Sequence, residues 1–300
     1  MSAQALRVLL LSQAPQRRGA EVAAFELGAA LLRAGCVVRR LYLYSHAGAA
    51  ALPLDGGDRV LDGEPAHVFE RVPGIHPGVL RRLRREIAAF APEVVQANGG
   101  RTVKYAAAAR RLDGAAGWAL VYRNIGDPQR WAQGIRALAY RQIVMRQVDG
   151  VVSVSATTLA AARSHYGFDG VPAKTIQGGV DPAVLAPRRA AVEVRTSLST
   201  SLEAPVLLFL GNLSAEKRVD RVLDWTAGAR REHPNLRLWL VGDGPLRSKL
   251  EGRATELGLA ENVVFIGRQE NVGDYLAAAD LLLLASDTEG MPGVVLEAGA

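Results

Sequence analysis

Leu281-Leu-Leu-Leu-Ala285-Ser-Asp-Thr-Glu289-Gly-Met-Pro-Gly-Val-Val-Leu-Glu297 runs from an apolar stretch of strand length, through a turn marked by glycine and proline, into a helix-forming segment. Pro292 suits a helix start, where a missing N–H forfeits no hydrogen bond. With the helix beginning near Pro292, the N–H groups of Met291, Gly293 and Val294 have no intrahelical acceptor. Together with the helix dipole they favour an anion above the strand end, such as a diphosphate. Glu289 and Glu297 stand on either side of that turn, and each can accept hydrogen bonds from hydroxyl groups.

The same strand, turn and helix unit recurs toward the N-terminus. Strands predicted over 205–210, 236–241, 262–266 and 280–285 alternate with helices near 218–231, 245–257 and 272–278. An earlier series places strands at 7–11, 37–44, 94–97, 119–122, 150–155 and 174–176, separated by helical stretches such as 21–33 and 102–112. This alternation is the pattern of doubly wound parallel sheets, whose ligands lie at the carboxyl ends of the strands. The fold class is therefore α/β with two tandem Rossmann-like domains, an N-terminal one over 1–185 and a C-terminal one over 186–300. The polar segment 187–204 reads as a linker. Residues 45–77, rich in Gly, Pro and Asp, read as a long surface excursion. Only four strands of the second series precede Ala300, so the expectation is an incomplete second domain, cut from a longer protein.

The 300 residues are 49% hydrophobic, enough for a sizeable core, and the length fits two domains. No apolar run approaches the roughly 20 residues of a spanning helix, and the N-terminus lacks the features of a secretory signal, so a cytoplasmic location is expected. Cys36, the single cysteine, reads as a small buried strand residue. The net charge of +6 is uneven: through Asp181, 23 Lys and Arg oppose 14 Asp and Glu, and the remainder is net acidic. Arg81, Arg82, Arg84 and Arg85 supply part of the excess, with Arg136, Arg141 and Arg146 on a predicted helix. They read equally as solvated helix faces or as a surface drawn to an anionic membrane or acceptor. Few aromatics are interleaved and there is no recognition helix, so no nucleic acid partner is expected.

A nicotinamide or flavin cofactor calls for G-x-G-x-x-G after a strand. Gly242-Asp-Gly244 supplies two glycines, but Arg247 stands in the third place; the stretch reads as a tight turn. The five His have no ligand spacing, and there is neither a nucleophile elbow nor a P-loop. No cofactor and no metal is expected.

The segment from Glu289 to Glu297 resembles the E-x7-E motif of family 4 retaining glycosyltransferases, the group 1 type with the GT-B fold. Gly211-Asn-Leu-Ser-Ala-Glu-Lys217-Arg-Val-Asp220 is similar to the family's strand and loop that bring a Lys to the donor diphosphate. Val241-Gly-Asp-Gly-Pro245, Phe265-Ile-Gly-Arg268 and Gly178-Gly-Val-Asp181 match further landmarks of the family. Arg18-Gly19-Ala-Glu21 resembles its glycine-rich loop before the first helix, and Pro92-Glu-Val-Val-Gln-Ala-Asn98 a segment whose family form carries His. The resemblance implies that Lys217 neutralises donor phosphate charge, Glu289 holds hydroxyls of the transferred sugar, and Glu297 holds the ribose, with Lys217 and Glu289 catalytic. It implies donor contacts from Met291, Pro292, Gly293 and Val294. Arg268 falls at the strand end that recognises the base, and Gly19 where backbone approaches the diphosphate.

Departures from the family pattern matter as well. Asn212 stands where the family usually has Arg, and Arg218, in place of a common Gly, is expected to supply the second cation. Gln96 and Asn98 occupy the His positions, so no acid or base is assigned in the first domain. Asn98, Arg123, Asn124 and Asp127 read as sugar or acceptor contacts, a structural loop role weighing about equally for the last three. In the mechanism usual for the family, the leaving diphosphate itself takes the acceptor's proton.

The implied reaction moves a sugar from a nucleotide-diphosphate sugar, UDP-sugar favoured and GDP-sugar second, to a lipid-linked, polysaccharide or small-molecule acceptor. It is expected to take place in the cytoplasm, at the inner membrane face where the basic surface meets anionic lipid. An epimerase or phosphorylase of the same architecture stays open as an alternative. So does a non-catalytic sugar-nucleotide binding protein, which would not leak sugar to water.

Overall fold

In a computed structural model, which describes residues 5–300 apart from 17, 47–50, 63–73, 115–116, 131–132, 169 and 288, the Val- and Leu-rich stretches form two parallel sheets. The chain divides into two compact units, Met1–Gly178 and Gly179–Ala300. The first runs β1 (Arg7–Ser12), α1 (Gly19–Arg33), β2 (Val37–Tyr42), β3 (Arg59–Val60), α2 (Pro77–Phe90), β4 (Val94–Asn98), α3 (Gly100–Asp113), β5 (Ala119–Asn124), α4 (Ile135–Ala139), β6 (Gly150–Ser153), α5 (Ala156–Tyr166) and β7 (Ala173–Thr175). Its sheet order is β3-β2-β1-β4-β5-β6-β7. Strand order reverses between β1 and β4, each paired in parallel.

Alternation along the strands sorts the side chains into two layers. Leu9, Leu11, Val95, Ala97, Leu120 and Tyr122 bury against α2, α3 and α5. Leu10 faces α1, where Gly28 permits close packing: a Cβ there would stand 3.2 Å from Leu10 Cδ1. The excursion predicted over 45–77 is not wholly irregular, because Arg59 and Val60 add an edge strand beside β2 and Leu52 and Leu61 are buried. Its residues 47–50 and 63–73 lie outside the described residues. Cys36 is half-buried in the turn before β2 rather than within a strand.

The second unit contains α6 (Pro182–Leu185), α7 (Ala191–Ser197), β8 (Val206–Leu210), α8 (Val219–Ala229), β9 (Arg237–Val241), α9 (Arg247–Glu256), β10 (Val263–Gly267), α10 (Gly273–Ala278), β11 (Leu281–Leu282) and α11 (Gly293–Ala298). The sheet order is β10-β9-β8-β11. Phe209, Leu238 and Leu240 pack against α8 and α9, whereas Val206, Leu208, Trp239 and Val241 pack against α7 and α10. β11 is shorter than the run predicted over 280–285, with pairing limited to Leu281 and Leu282 against Leu207 and Leu208.

The segment 187–204 is not a free linker. It carries α7, whose Val194 is buried in the second core. Arg195 donates to Ala278 O, Leu202 O and Ala204 O and pairs with Asp280, joining α7 to α10 and to the edge of the sheet. A polar composition conceals this because the arginine is buried by satisfying four acceptors. α6, which the sequence places in the first domain, packs in the second unit: the Leu185 carbonyl lies against Gly273, and Asn271 Nδ2 donates to Ala186 O.

Gly242 and Gly244 follow β9 for a reason internal to the unit. A Cβ on Gly242 would lie 1.8 Å from Gly211 O, and one on Gly244 2.5 Å from Leu213 O. The loops after β8 and β9 thus meet backbone to backbone, secured by Leu213 N to Asp243 O at 3.0 Å. Gly242→Ala adds both this overlap and a strained φ of +138°. It is expected to destabilise the chain by about 3 kcal/mol or more, read as a lower midpoint in urea denaturation.

Candidate functional site

In the second unit the loops leaving β8 and β11 are brought together by the sheet itself. These strands are neighbours, and β8 continues to β9 on its other side, so their carboxyl ends meet at a switch point, where a doubly wound sheet takes its ligands. Lys217 ends the 3₁₀ turn Ala215–Lys217 after β8, and Glu289 follows β11. Lys217 Nζ donates to Glu289 Oε1 at 2.5 Å, with the side chains 25% and 22% exposed. Asp287 N donates to Glu216 O at 3.0 Å, fixing one loop on the other, and Ser214 Oγ bonds Glu216 Oε1 at 2.7 Å.

Arg218 adopts a left-handed backbone, φ 49°, where most of its kind would cost energy. Its guanidinium is already engaged: Nη2 lies 2.8 Å from Asp220 Oδ2, and Nη1 3.3 Å from Asp287 Oδ2. Arg221 pairs with Asp287 at 2.8 Å. The hydrogen bond from Arg218 holds the Asp220 carboxyl below the usual range.

α11 begins at Gly293 with Pro292 as its N-cap residue. Val294 packs into the second core, which orients the turn. Glu297 folds back so that its Oε1 would lie 3.7 Å from a Cβ on Gly293. The structure thus joins Lys217 to Glu289 and Glu297 to the turn containing Met291, Pro292 and Gly293. Asn212 is half-buried at the end of β8, and Arg268 is exposed beyond β10, whose Gly267 O accepts from Gly242 N at 2.8 Å. Neither is placed against Lys217 by a hydrogen bond.

In the first unit, Gly19 opens α1, and beyond its chain neighbours and its own helix no atom of the described residues lies within 4 Å of where a Cβ would stand. Glu21, in the first turn of α1, is buried and accepts from Gln16 Nε2 at 3.3 Å. Asn98 Nδ2 donates to Leu11 O at 3.1 Å, and its Oδ1 accepts from Gln96 Nε2 at 2.9 Å. Asn124 donates to Ser153 Oγ and Thr158 O and accepts from Tyr122. Asp127 accepts from Gln129 N at 3.0 Å, closing a local turn. Arg123 is buried, and its Nη1 has no partner. Among the described residues no group of three or more His, Cys, Asp or Glu is arranged to hold a metal, and no helix is long and apolar enough to cross a membrane.

Sequence reasoning did not find the Asp220, Asp287 and Arg221 network, whose members are ordinary surface residues until the β8 and β11 loops meet. Nor did it assign Glu21 a role, although the residue was legible in the Arg18–Glu21 stretch as an acidic group in the first helical turn.

Residues 17–184 match the family model Glycosyltransferase Family 4, and residues 193–300 match Glycosyl transferases group 1. The chain is 34% identical over 106 residues to the lipopolysaccharide core biosynthesis glycosyltransferase LpsE of Rhizobium meliloti, covering 35% of this chain and 30% of that protein. It is 35% identical over 123 residues to a GDP-mannose-dependent alpha-(1-6)-phosphatidylinositol dimannoside mannosyltransferase of Mycobacterium tuberculosis, covering 41% and 32%. The matched stretches thus span less than a third of these relatives' lengths. In fold it resembles Anabaena HepE in complex with UDP-glucose, with a TM-score of 0.78, 20% identity, and coverage of 98% of this chain and 78% of that one.

Burial pushes the Glu21 carboxyl above its ordinary value near 4.5, the Gln16 hydrogen bond opposing it only in part. Between the unfolded and folded values the native chain holds more protons than the unfolded one, so this group makes stability fall as pH rises from about 4.5. Glu21→Gln, which keeps the acceptor for Gln16, is expected to flatten that decline and to be more stable at pH 7. Denaturation across a pH series from 4 to 8 measures it.

Proposed function

The chain belongs to glycosyltransferase family 4, and we propose that it transfers a sugar from a nucleotide-diphosphate sugar to an acceptor hydroxyl with retention at the anomeric carbon. The observation that carries this reading is the Lys217–Glu289 contact at the switch point between β8 and β11. A mobile cation and a carboxylate, held at the mouth of a parallel sheet, match the two ends of such a donor: a diphosphate that gains charge as it leaves, and a sugar that offers hydroxyls. Without donor each neutralises the other. With donor, Lys217 turns to the phosphate and Glu289 to the sugar. The phosphate and the sugar hydroxyls replace the bonds that the part-buried pair gives up.

In the reaction the bond from the anomeric carbon to the diphosphate oxygen breaks and the acceptor oxygen bonds to that carbon. The acceptor's proton passes to the departing diphosphate on the same face, so no base is required of the protein. Glu297 beside the Gly293 turn supports a ribose contact. UDP-sugar is the donor we favour and GDP-sugar the second. The relatives' names, one in lipopolysaccharide core synthesis and one acting on a phosphatidylinositol mannoside, support a lipid-linked saccharide as acceptor.

A reversible contact with anionic lipid is the accompanying proposal. Arg81 and Arg85 are exposed, whereas Arg82 is drawn to Asp62 at 3.4 Å and Arg84 to Asp113 at 2.6 Å. Ile135, Leu138 and Ile143 are exposed apolar residues near Arg141 and Arg146 in sequence; the Arg136 side chain lies outside the described residues. The exposed cations and apolar side chains together suit a charged bilayer surface.

Lys217→Ala is expected to weaken UDP or GDP binding by about 1.5 to 3 kcal/mol, the loss of a charge-assisted bond, measured by calorimetry. Slow release of sugar from one member of a nucleotide-sugar panel is expected of the unmodified protein, whereas a pure binding protein would release none. Replacing Arg81 and Arg85 by Gln removes about 2 kcal/mol of lipid attraction, roughly 30-fold in partitioning. Flotation with anionic liposomes across a salt series tests that; indifference of the unmodified protein at low salt would exclude the membrane contact.

A further inference from the structure

Of the four polar side chains that the sequence singles out in the first unit, three are satisfied inside the fold. Asn124 uses its amide on Ser153, Thr158 and Tyr122. Asn98 bridges Leu11 and Gln96, and Asp127 holds a turn. Arg123 is different. It is 8% exposed, and among the described residues its buried Nη1 has no hydrogen-bond partner and no carboxylate pairs with it. Burial pulls its pKa below the usual arginine value, and no acidic neighbour opposes the shift. An arginine is never relieved by losing its proton in a protein, and a buried charge without a counter-ion is a costly arrangement.

Its place in the sheet indicates what should complete it. Arg123 is the penultimate residue of β5 and stands in register with Asn98, the last residue of β4. Asn98 in turn reaches across to Ser12, at the end of β1. Strand alternation puts Ser12, Asn98 and Arg123 on the face opposite the core residues Leu11, Ala97 and Tyr122. These three carboxyl ends adjoin the β1/β4 reversal, where a doubly wound sheet takes its ligand. Gly99 N donates to Arg123 O at 3.0 Å. Gly99 is also the residue that leads into α3, a helix of 14 residues with no side-chain cap and no acidic residue in its first turn. The carboxyl end of β5, which carries Arg123, is thus joined by its backbone to the start of α3, and a guanidinium and a helix N-terminus both favour negative charge.

We propose that Arg123 anchors an anionic group, a carboxylate or a phosphate ester, carried by the acceptor sugar. The acceptor is then an acidic or phosphorylated saccharide, held by the fork that arginine offers to either group. That the ligand is the acceptor rests on the transferase reading above; that the site takes an anion does not.

The test follows thermal unfolding of the full chain with glucuronate, glucose 6-phosphate, inorganic phosphate and glucose at matched ionic strength. The unmodified protein, Arg123→Met and Arg123→Lys are compared. At least one charged sugar is expected to raise the midpoint while glucose does not, and whichever acts names the anionic group. Arg123→Met should lose the response while its ligand-free midpoint equals or exceeds that of the unmodified protein, because an unpaired buried charge has gone. Arg123→Lys, which keeps the charge without the fork, should respond more weakly, and it carries the test if the Met variant does not fold. An equal response to glucose, an unchanged response in either variant, or no response to any charged sugar overturns the proposal. A response to inorganic phosphate as large as that to the phosphosugar overturns the acceptor assignment. UDP calorimetry on the same samples separates the two readings: absent UDP binding with an intact anion response sinks the transferase reading alone. UDP binding without any anion response sinks this inference alone.

Discussion

Reversal of strand order in a parallel sheet is the constraint on which both candidate sites depend. A right-handed crossover can proceed to either side of the first strand of a unit. Where consecutive crossovers take opposite sides, two strands distant in sequence become neighbours, and the residues at their carboxyl ends meet where a doubly wound sheet takes its ligands. In the second unit this occurs between β8 and β11, and in the first between β1 and β4. Lys217 and Glu289 are 72 residues apart and meet only because of it. Asn98 reaches Leu11 across 87 residues for the same reason.

The alternation of apolar strands with helices was legible because strands buried on both faces read as short continuous runs of Val and Leu, such as Val8 to Leu11 and Val206 to Leu210. The α7 helix escaped notice because its contribution to the core is essentially Val194, while Arg195 looks like a solvated residue until its four acceptors are known. β3 escaped because an edge strand of two residues carries no periodicity. At the site, spacing and resemblance singled out Lys217 and Glu289, whose side chains the structure brings together. They could not show that Arg218 is matched by Asp220 and Asp287, since both partners are ordinary in sequence and only the meeting of two loops makes them relevant. The glycines at 242 and 244 were legible as a tight turn. Their reason, a neighbouring backbone rather than a phosphate, was not.

Arg218 illustrates how strain and charge offset one another. A left-handed conformation costs a non-glycine residue roughly 1 to 2 kcal/mol, which explains why glycine would be the simpler choice before α8. The arginine is held there by two carboxylates on different segments, Asp220 in the first turn of α8 and Asp287 after β11. It therefore fastens the β11 loop to the β8 loop, alongside the backbone bond from Asp287 to Glu216. Because it is committed in this way, Lys217 is left as the cation of that loop pair best able to exchange its partner: its single carboxylate contact is part-exposed, and its long stem leaves the ammonium free to turn.

The two units differ in how they leave their charges. Lys217 has a counter-ion within its own unit, so any anion that binds it must displace Glu289, and part of the binding energy goes into breaking that contact. Arg123 has none among the described residues, so an anion reaching it competes with no protein carboxylate and recovers desolvation already incurred on folding. A paired cation suits a group that must later depart carrying charge, because re-forming the Lys217–Glu289 contact assists release. An unpaired, sheet-anchored guanidinium suits a group that must be held in one orientation while chemistry happens elsewhere on the molecule that carries it. On this argument the contrast between Lys217 and Arg123 is a division between exchange and positioning, and it follows from the presence of one carboxylate in one unit and its absence beside the other.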